Sequence, residues 1–255
     1  MDFVRPKKHL GQHFLKDENI AAKIAGSLQM ADLPVIEVGP GMGILTKYLL
    51  EAKDRECYFI DTDKESVDFL DSRFPGHQER FIQADFLKYS LSSLFQGQYA
   101  VIGNFPYNIS SQIFFKILDN RQQVREVVGM IQKEVAERLA AGPGSKTYGI
   151  LSVLLQAYYR IEYLFTVNET VFIPPPKVKS AVIRLTRNET TKLECDEGLF
   201  FKVVKTAFNQ RRKTLRNSLK SFYIDYERGK VEYLAGKRAE ELGVEEFVML
   251  TNLAI

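Results

Sequence analysis

The residues Gly103-Asn104-Phe105-Pro106-Tyr107-Asn108 carry the most specific chemistry in this chain. An amine conjugated to a purine ring is a poor nucleophile, because its lone pair is delocalised into the ring. The side-chain amide oxygen of Asn104, with a backbone carbonyl preceding or within the Pro106 turn, can accept both amine hydrogens. That draws the lone pair out of the ring plane, toward a methyl group carried on a sulfonium. Pro106 fixes the turn and removes a competing N–H, and Tyr107 offers a face on which a base taken out of its helix can stack. No strong base is required, since the amine proton becomes acidic once transfer has begun. Catalysis of this kind is positioning and electrostatics.

A second group of residues reads as a nucleoside site. Val35-Ile36-Glu37-Val38-Gly39-Pro40-Gly41-Met42-Gly43 is an apolar run entering a glycine turn. Glycines suit such a turn because the backbone must bend tightly and approach a ligand with no side chain between. About twenty residues on, an acidic side chain at a strand end accepts hydrogen bonds from ribose hydroxyls in nucleotide folds, and Asp61 stands at that place. Dinucleotide enzymes want a further glycine three residues after Gly41, where this chain has Ile44. The spacing Gly39, Gly41, Gly43 instead resembles the first motif of class I methyltransferases. A third apolar run delivers Asp85, placed to accept from an adenine amino group, with Phe86 beside it offering stacking area.

The elements that must position these residues follow from the apolar pattern. Short runs at Val35–Val38, Cys57–Ile60, Phe81–Ile82, Tyr99–Ile102 and Val127–Ile131 alternate with stretches of helical spacing, which predicts a parallel sheet with crossover helices. Leu151–Tyr159 has helical length, while Tyr163–Val167 and Ser180–Leu185 read as two more strands around a Pro174–Pro176 loop. The polar stretch Arg187–Glu197 marks a domain edge. Beyond it, Leu199–Lys220 is predicted as one helix, and Val231–Leu253 as helical with breaks at Gly236 and Gly243. The expected architecture is an α/β class I methyltransferase sheet over residues 1–187, followed by a small all-helical domain over 188–255.

Composition narrows the class. The 255 residues are 45% hydrophobic and 26% charged, with a net charge of +3, so an RNA partner is permitted but not demanded. No apolar run is long enough to span a membrane, and the basic N-terminus lacks the apolar core of a signal peptide. Cys57, Cys195, His9, His13 and His77 match no metal-ligand spacing, so no metal is expected. A cytoplasmic protein with reduced thiols follows, and a monomer, since nothing suggests an obligate oligomer.

Further segments extend the pattern. They are Lys8-His9-Leu10-Gly11-Gln12-His13-Phe14-Leu15, Asn104–Ser110, Gln132–Leu139, Pro143–Gly149, Phe172-Ile173-Pro174-Pro175-Pro176-Lys177-Val178 and Arg211-Arg212-Lys213-Thr214-Leu215-Arg216. With the glycine turn, and in this order, they resemble the KsgA-type small-subunit ribosomal RNA adenine dimethyltransferases nearly end to end. The resemblance implies an enzyme of ribosome biogenesis. It would transfer four methyl groups from S-adenosylmethionine to two adjacent adenosines in a hairpin near the 3′ end of 16S rRNA. It implies cofactor contacts at His13, Leu15, Gly39, Asp61, Asp85 and Asn104, to which the glycine turn adds Gly41, and a role for Phe172 beside Tyr107 in holding the target base. The chain departs from the common family pattern at His13 (usually Asn), Asp61 (usually Glu) and Phe105 (usually Leu).

RNA contacts are expected at two basic groups: Arg211, Arg212, Lys213 and Arg216, and Lys133, Arg138 and Lys146 near the presumed cleft. By charge alone either group could be a solvated surface, and the resemblance favours RNA. Three rival functions share some of these features. A large-subunit rRNA adenine methyltransferase has the same loop and glycine turn but lacks the Pro143–Gly149 and Phe172–Val178 patterns. A non-catalytic assembly factor would not need Asn104, Tyr107 and Asp85 intact, and a dinucleotide oxidoreductase lacks its glycine fingerprint here.

Overall fold

The computed structural model describes residues 3–52, 55–227 and 230–254. It divides into two compact units, Met1–Ala136 with Glu162–Arg187, and Glu137–Ile161 with Asn188–Ile255. A linear division at residue 187 assigns 137–161 to the sheet domain; the contacts of that segment group it instead with the C-terminal helices.

The first unit is built on a sheet whose strands are near-continuous apolar runs. In chain order the strands of the protein are β1 (Phe14–Leu15), β2 (Val35–Val38), β3 (Cys57–Asp61), β4 (Phe81–Gln83), β5 (Tyr99–Asn104), β6 (Val124–Gln132), β7 (Tyr159–Val167), β8 (Phe172–Ile173) and β9 (Ser180–Arg187). Seven of them form one sheet in the order β4-β3-β2-β5-β6-β9-β7. The five from β4 to β6 run parallel and β9 is antiparallel to β6. Every residue of β2 is buried, as expected for strands covered on both faces. Helices α1 (Glu18–Ala25), α2 (Thr46–Glu51) and α3 (Lys64–Arg73) bring Ala21, Ile24, Leu49, Val67 and Leu70 into the same apolar cluster as Val35, Phe59 and Ile102. Helix α4 (Ser110–Asp119) buries Ile113, Phe114, Ile117 and Leu118.

This topology puts the chemistry on one edge. The chain goes outward from β2 to β3 and β4, then returns to β5 on the other side of β2, so the strand order reverses between β2 and β5. Open α/β sheets bind ligands outside the carboxyl ends of the strands at such a reversal. In-register pairing sets Asp61 opposite Gln83 and Asn104 opposite Met130. Two further bonds, Gly39 N to Ile60 O and Ala84 N to Asp61 O, both 2.9 Å, hold the turns that leave β2 and β4.

The second unit is helical. It contains α6 (Ile150–Gln156), α7 (Glu197–Asn209), α8 (Leu215–Ser218), α9 (Glu232–Ala235) and α10 (Val244–Leu253); α5 (Lys133–Ala140) begins in the first unit and ends in the second. In its core Phe208 packs edge-on against Tyr148 and tilted against Phe247, at centroid distances of 6.2 and 6.0 Å. The single helix expected over 199–220 is broken. Thr214 is extended, and Leu215 N donates to Lys237 O at 2.8 Å instead of continuing the helical ladder. The apolar spacing runs on through the break because Leu215 and Leu219 are buried in α8 and just after it. Similarly, Leu151–Tyr159 is not helical throughout: α6 ends at Gln156 and Tyr159 opens β7. Among the described residues no helix is long and apolar enough to cross a membrane.

Candidate active site

Outside the carboxyl ends of β2, β3 and β5, a cavity of about 240 Å³ is lined by Gly39, Gly41, Asp61, Asp85 and the Asn104–Ile109 loop. Its other wall is the N-terminal arm, Leu10–Phe14. Gly39, Gly41 and Gly43 have φ of +67°, +55° and +74°, in the left-handed region that disfavours a side chain. At Gly41 space demands glycine too, because a Cβ there would stand 2.8 Å from the Phe14 ring.

Asp61 is 6% exposed. Its Oδ2 accepts from Gly41 N at 3.1 Å and its Oδ1 from Asp63 N at 2.9 Å. Burial pushes its carboxyl up to about 6, against the pull of these backbone donors. Each oxygen keeps acceptor capacity for a further donor. Asp85 accepts from Leu87 N at 2.9 Å and lies 3.5 Å from Lys88 Nζ. Phe86, expected to offer stacking area, is buried at 4% exposure, and Leu87 lines the cavity in its place.

Asn104 Nδ2 donates to the His13 carbonyl at 2.8 Å. The donor end of the amide is therefore committed to the arm, and the acceptor end Oδ1 is left to accept from a ligand in the cavity. Tyr107 is held at its far end, Oη to Ser180 Oγ at 2.5 Å, and burial raises its phenol above the ordinary value. The Tyr107 ring lies 5.5 Å from the His13 imidazole, tilted by 30°. His13 Nδ1 stands 2.7 Å from the Pro174 carbonyl; a carbonyl only accepts, so Nδ1 carries the proton. Phe105 fits because Gly103 and Gly129 flank it. A Cβ on Gly129 would meet its ring at 2.6 Å, and the ring packs edge-on against Phe114.

Two expected site residues lie elsewhere. Phe172 is 1% exposed in the apolar core and does not line the cavity. Strand alternation on β8 turns it inward and leaves Ile173 exposed, so in this conformation its ring is not available to a base. Leu15 is also in the core, beside a small adjoining cavity of about 20 Å³ that Glu37 and Asn104 share. Glu37 was not singled out from sequence, where it reads as one residue of an apolar strand. It is fully enclosed, accepts from Thr46 Oγ1 at 2.7 Å, and burial pushes it up to about 8.

The basic residues differ in what they do. Lys133 belongs to the first unit, and Arg138, Lys146 and the 211–216 group to the second. Arg211 donates to the Lys146 carbonyl at 2.6 Å and lies 3.5 Å from Glu240, so it ties down the 142–149 loop. Arg212 and Lys213 are exposed, and Arg216 rests 5.7 Å over the Tyr226 ring.

A doubly wound sheet, a left-handed glycine turn, a carboxylate at the next strand end and an Asn-x-Pro-aromatic loop define a class I methyltransferase acting on an amine. The chain belongs to the ribosomal RNA adenine dimethylase family, whose model matches residues 4–254. It is a methyltransferase whose methyl donor is S-adenosylmethionine and whose substrate is rRNA. A protein of Parabacteroides distasonis named ribosomal RNA small subunit methyltransferase A is 60% identical, covering 100% of this chain and 96% of that one. One of the same name from Flavobacterium johnsoniae is 56% identical over 99% and 97%. Among solved structures, a dimethyladenosine transferase from Plasmodium falciparum has the same fold, with TM-score 0.78, 24% identity and coverage of 93% and 96%. The 23S rRNA methyltransferase ErmE gives TM-score 0.72 at 25% identity, covering 94% and 99%.

Proposed function

We propose that the protein dimethylates the N6 amines of two adjacent adenosines in the hairpin near the 3′ end of 16S rRNA during small-subunit assembly. The observation that carries the reading is the Asn104 amide in the cavity wall, clamped through Nδ2 so that Oδ1 is the end left to accept. The names and 56–60% identities of the bacterial relatives support the small subunit over the large.

The donor set of the cavity fits a nucleoside. Asp61 retains acceptors for the ribose hydroxyls, the glycine turn leaves room for a close approach, and Asp85 stands at the next strand end for the adenine amine. S-adenosylmethionine, when bound, supplies a methyl group on a positively charged sulfur. The protein's part is to present the target amine. Asn104 Oδ1 takes one N6 hydrogen. A backbone carbonyl preceding or within the Pro106 turn takes the other; that turn is held by Ile109 N donating to the Pro106 carbonyl at 3.1 Å. Tyr107, braced by Ser180 and His13, holds the base by its face. A second methylation needs only one amine hydrogen to be accepted, which the same pair can do. The protein acts as a cytoplasmic monomer on a ribosomal particle.

The test is incubation with unmodified small subunits and labelled donor, followed by mapping of the modified nucleotides. Two neighbouring dimethyladenosines are expected in the 3′ hairpin; label confined to large-subunit RNA would overturn the reading. Phosphate contacts are expected from Arg212 and Arg216. Changing both to alanine should weaken small-subunit binding about tenfold at moderate salt and lower the salt slope by about two, with donor affinity unchanged. Identical binding across a salt series would remove them from the interface.

A further inference from the structure

Lys7 lies at the start of the arm, and its ammonium turns inward while Lys8 and His9 are exposed. Its Nζ donates to Asp63 Oδ1 at 2.5 Å and lies 3.4 Å from Glu65. Its backbone N donates to Gln12 Oε1 at 2.8 Å, and Gln12 lines the cavity. Asp63 is 4% exposed, caps α3 and receives Ser66 Oγ at 3.1 Å. Asp63 N in turn donates to Asp61 Oδ1. An unbroken chain of bonds therefore runs from Lys7 to Asp61. The same arm supplies Phe14 against Gly41 and the His13 carbonyl to Asn104.

We propose that Lys7 is a positioning residue for the methyl donor, latching the N-terminal arm to the ribose corner of the cavity through Asp63. This rests on the reading of Asp61 as the ribose acceptor. Residues 10–14 form one wall of the cavity, so an arm held in place helps to retain a bound nucleoside, and the Lys7–Asp63 pair resists its displacement. The pair also has an electrostatic part. Asp61 shares its surroundings with Asp63 and Glu65 on the α3 side, Glu37 on β2 and Asp85 after β4, all carboxyl groups, while Lys7 is the cation paired with Asp63. Without Lys7 the uncompensated charge of Asp63 makes ionising Asp61 harder.

The experiment measures affinity and dissociation rate of S-adenosylmethionine and S-adenosylhomocysteine on the full chain, from pH 5 to 8, for the parent, Lys7→Met, Lys7→Arg, Asp63→Asn and Asp61→Asn. Lys7→Met is expected to weaken binding about fivefold, chiefly through faster dissociation, and to move the acid limb of the affinity profile to higher pH. Lys7→Arg should restore most of both. Asp63→Asn keeps the α3 cap, so it should speed dissociation but move the acid limb the opposite way, to lower pH. Parent-like rates and profile for Lys7→Met, or equal loss in Lys7→Met and Lys7→Arg with no movement of the profile, would overturn the proposal. Undiminished affinity in Asp61→Asn would instead strike the underlying reading of Asp61.

Discussion

Replacing Asn104 with alanine is expected to lower single-turnover methyl transfer by about 10²–10³-fold, or about 3–4 kcal/mol of transition-state stabilisation. The lone pair of an adenine amine gains reactivity only as the nitrogen pyramidalises, and the proposed acceptors pull on its hydrogens most strongly at that point. Their contribution is thus made in the transition state and should be lost from kcat. Asn104 Nδ2 also holds the His13 carbonyl at 2.8 Å, so alanine releases one tie of the arm and donor affinity should weaken too, by less than about tenfold. Asn104→Asp keeps an acceptor oxygen but sets a carboxylate against the His13 carbonyl. It should retain more turnover than alanine while binding the donor less well. Labelled-methyl transfer with enzyme in excess separates the two effects. Turnover at the parental rate in the alanine variant would remove Asn104 from the chemistry, and an effect on donor affinity alone would make it an anchor of the arm.

Residues that meet through short sequence were legible; those that meet through the fold were not. Val35–Gly43 announces a strand entering a ligand-facing turn because three glycines alternate directly after an apolar run, and all three have positive φ. Asp61 and Asn104 could be placed at one edge because both close apolar runs that pair in register with their neighbours. The family pattern marks Phe172 without its facing, which only the fold supplies: on β8 alternation sends it into the core. The break after Asn209 was hidden because the residues beyond it are buried at helical spacing, while the deciding bond comes from Lys237, more than twenty residues away. In the arm, the Lys8–Leu15 pattern was legible but the partners that position it were not. Lys7, Gly11 and Gln12 take their significance from partners such as Asp63 and Asn108, distant in sequence, and nothing local to 7–12 reveals them. Gly11 illustrates this: with φ of +65°, it leaves room for the Asn108 side chain, whose Oδ1 would stand 2.6 Å from an added Cβ.

Donor affinity should fall as pH drops below about 6, by up to tenfold per pH unit, because Asp61, the proposed ribose acceptor, is then protonated. Its carboxyl sits above its ordinary 3.8 because burial disfavours the charge. The sign for the unliganded protein is therefore the reverse of the usual carboxylate case. The stability from keeping Asp61 neutral is full below 3.8 and lost as pH rises through about 6, a loss of about 3 kcal/mol at 1.36 kcal/mol per pH unit. Ribose hydroxyls donating to the carboxylate offset that cost, so thermal stabilisation by S-adenosylhomocysteine should be larger at pH 7.5 than at pH 5.5. Asp61→Asn cannot accept from both Gly41 N and Asp63 N, since its amide nitrogen faces one of them, and it presents the ribose with fewer acceptors. Its donor affinity should be about 10²-fold weaker at pH 7.5, consistent with the loss of charge-assisted bonds of about 1.5–3 kcal/mol, and should be nearly flat between pH 5 and 7. Calorimetric titration at several pH values decides the matter. A parental profile flat through pH 6, or one in Asp61→Asn that still falls steeply there, would remove Asp61 as the acceptor whose protonation governs donor binding.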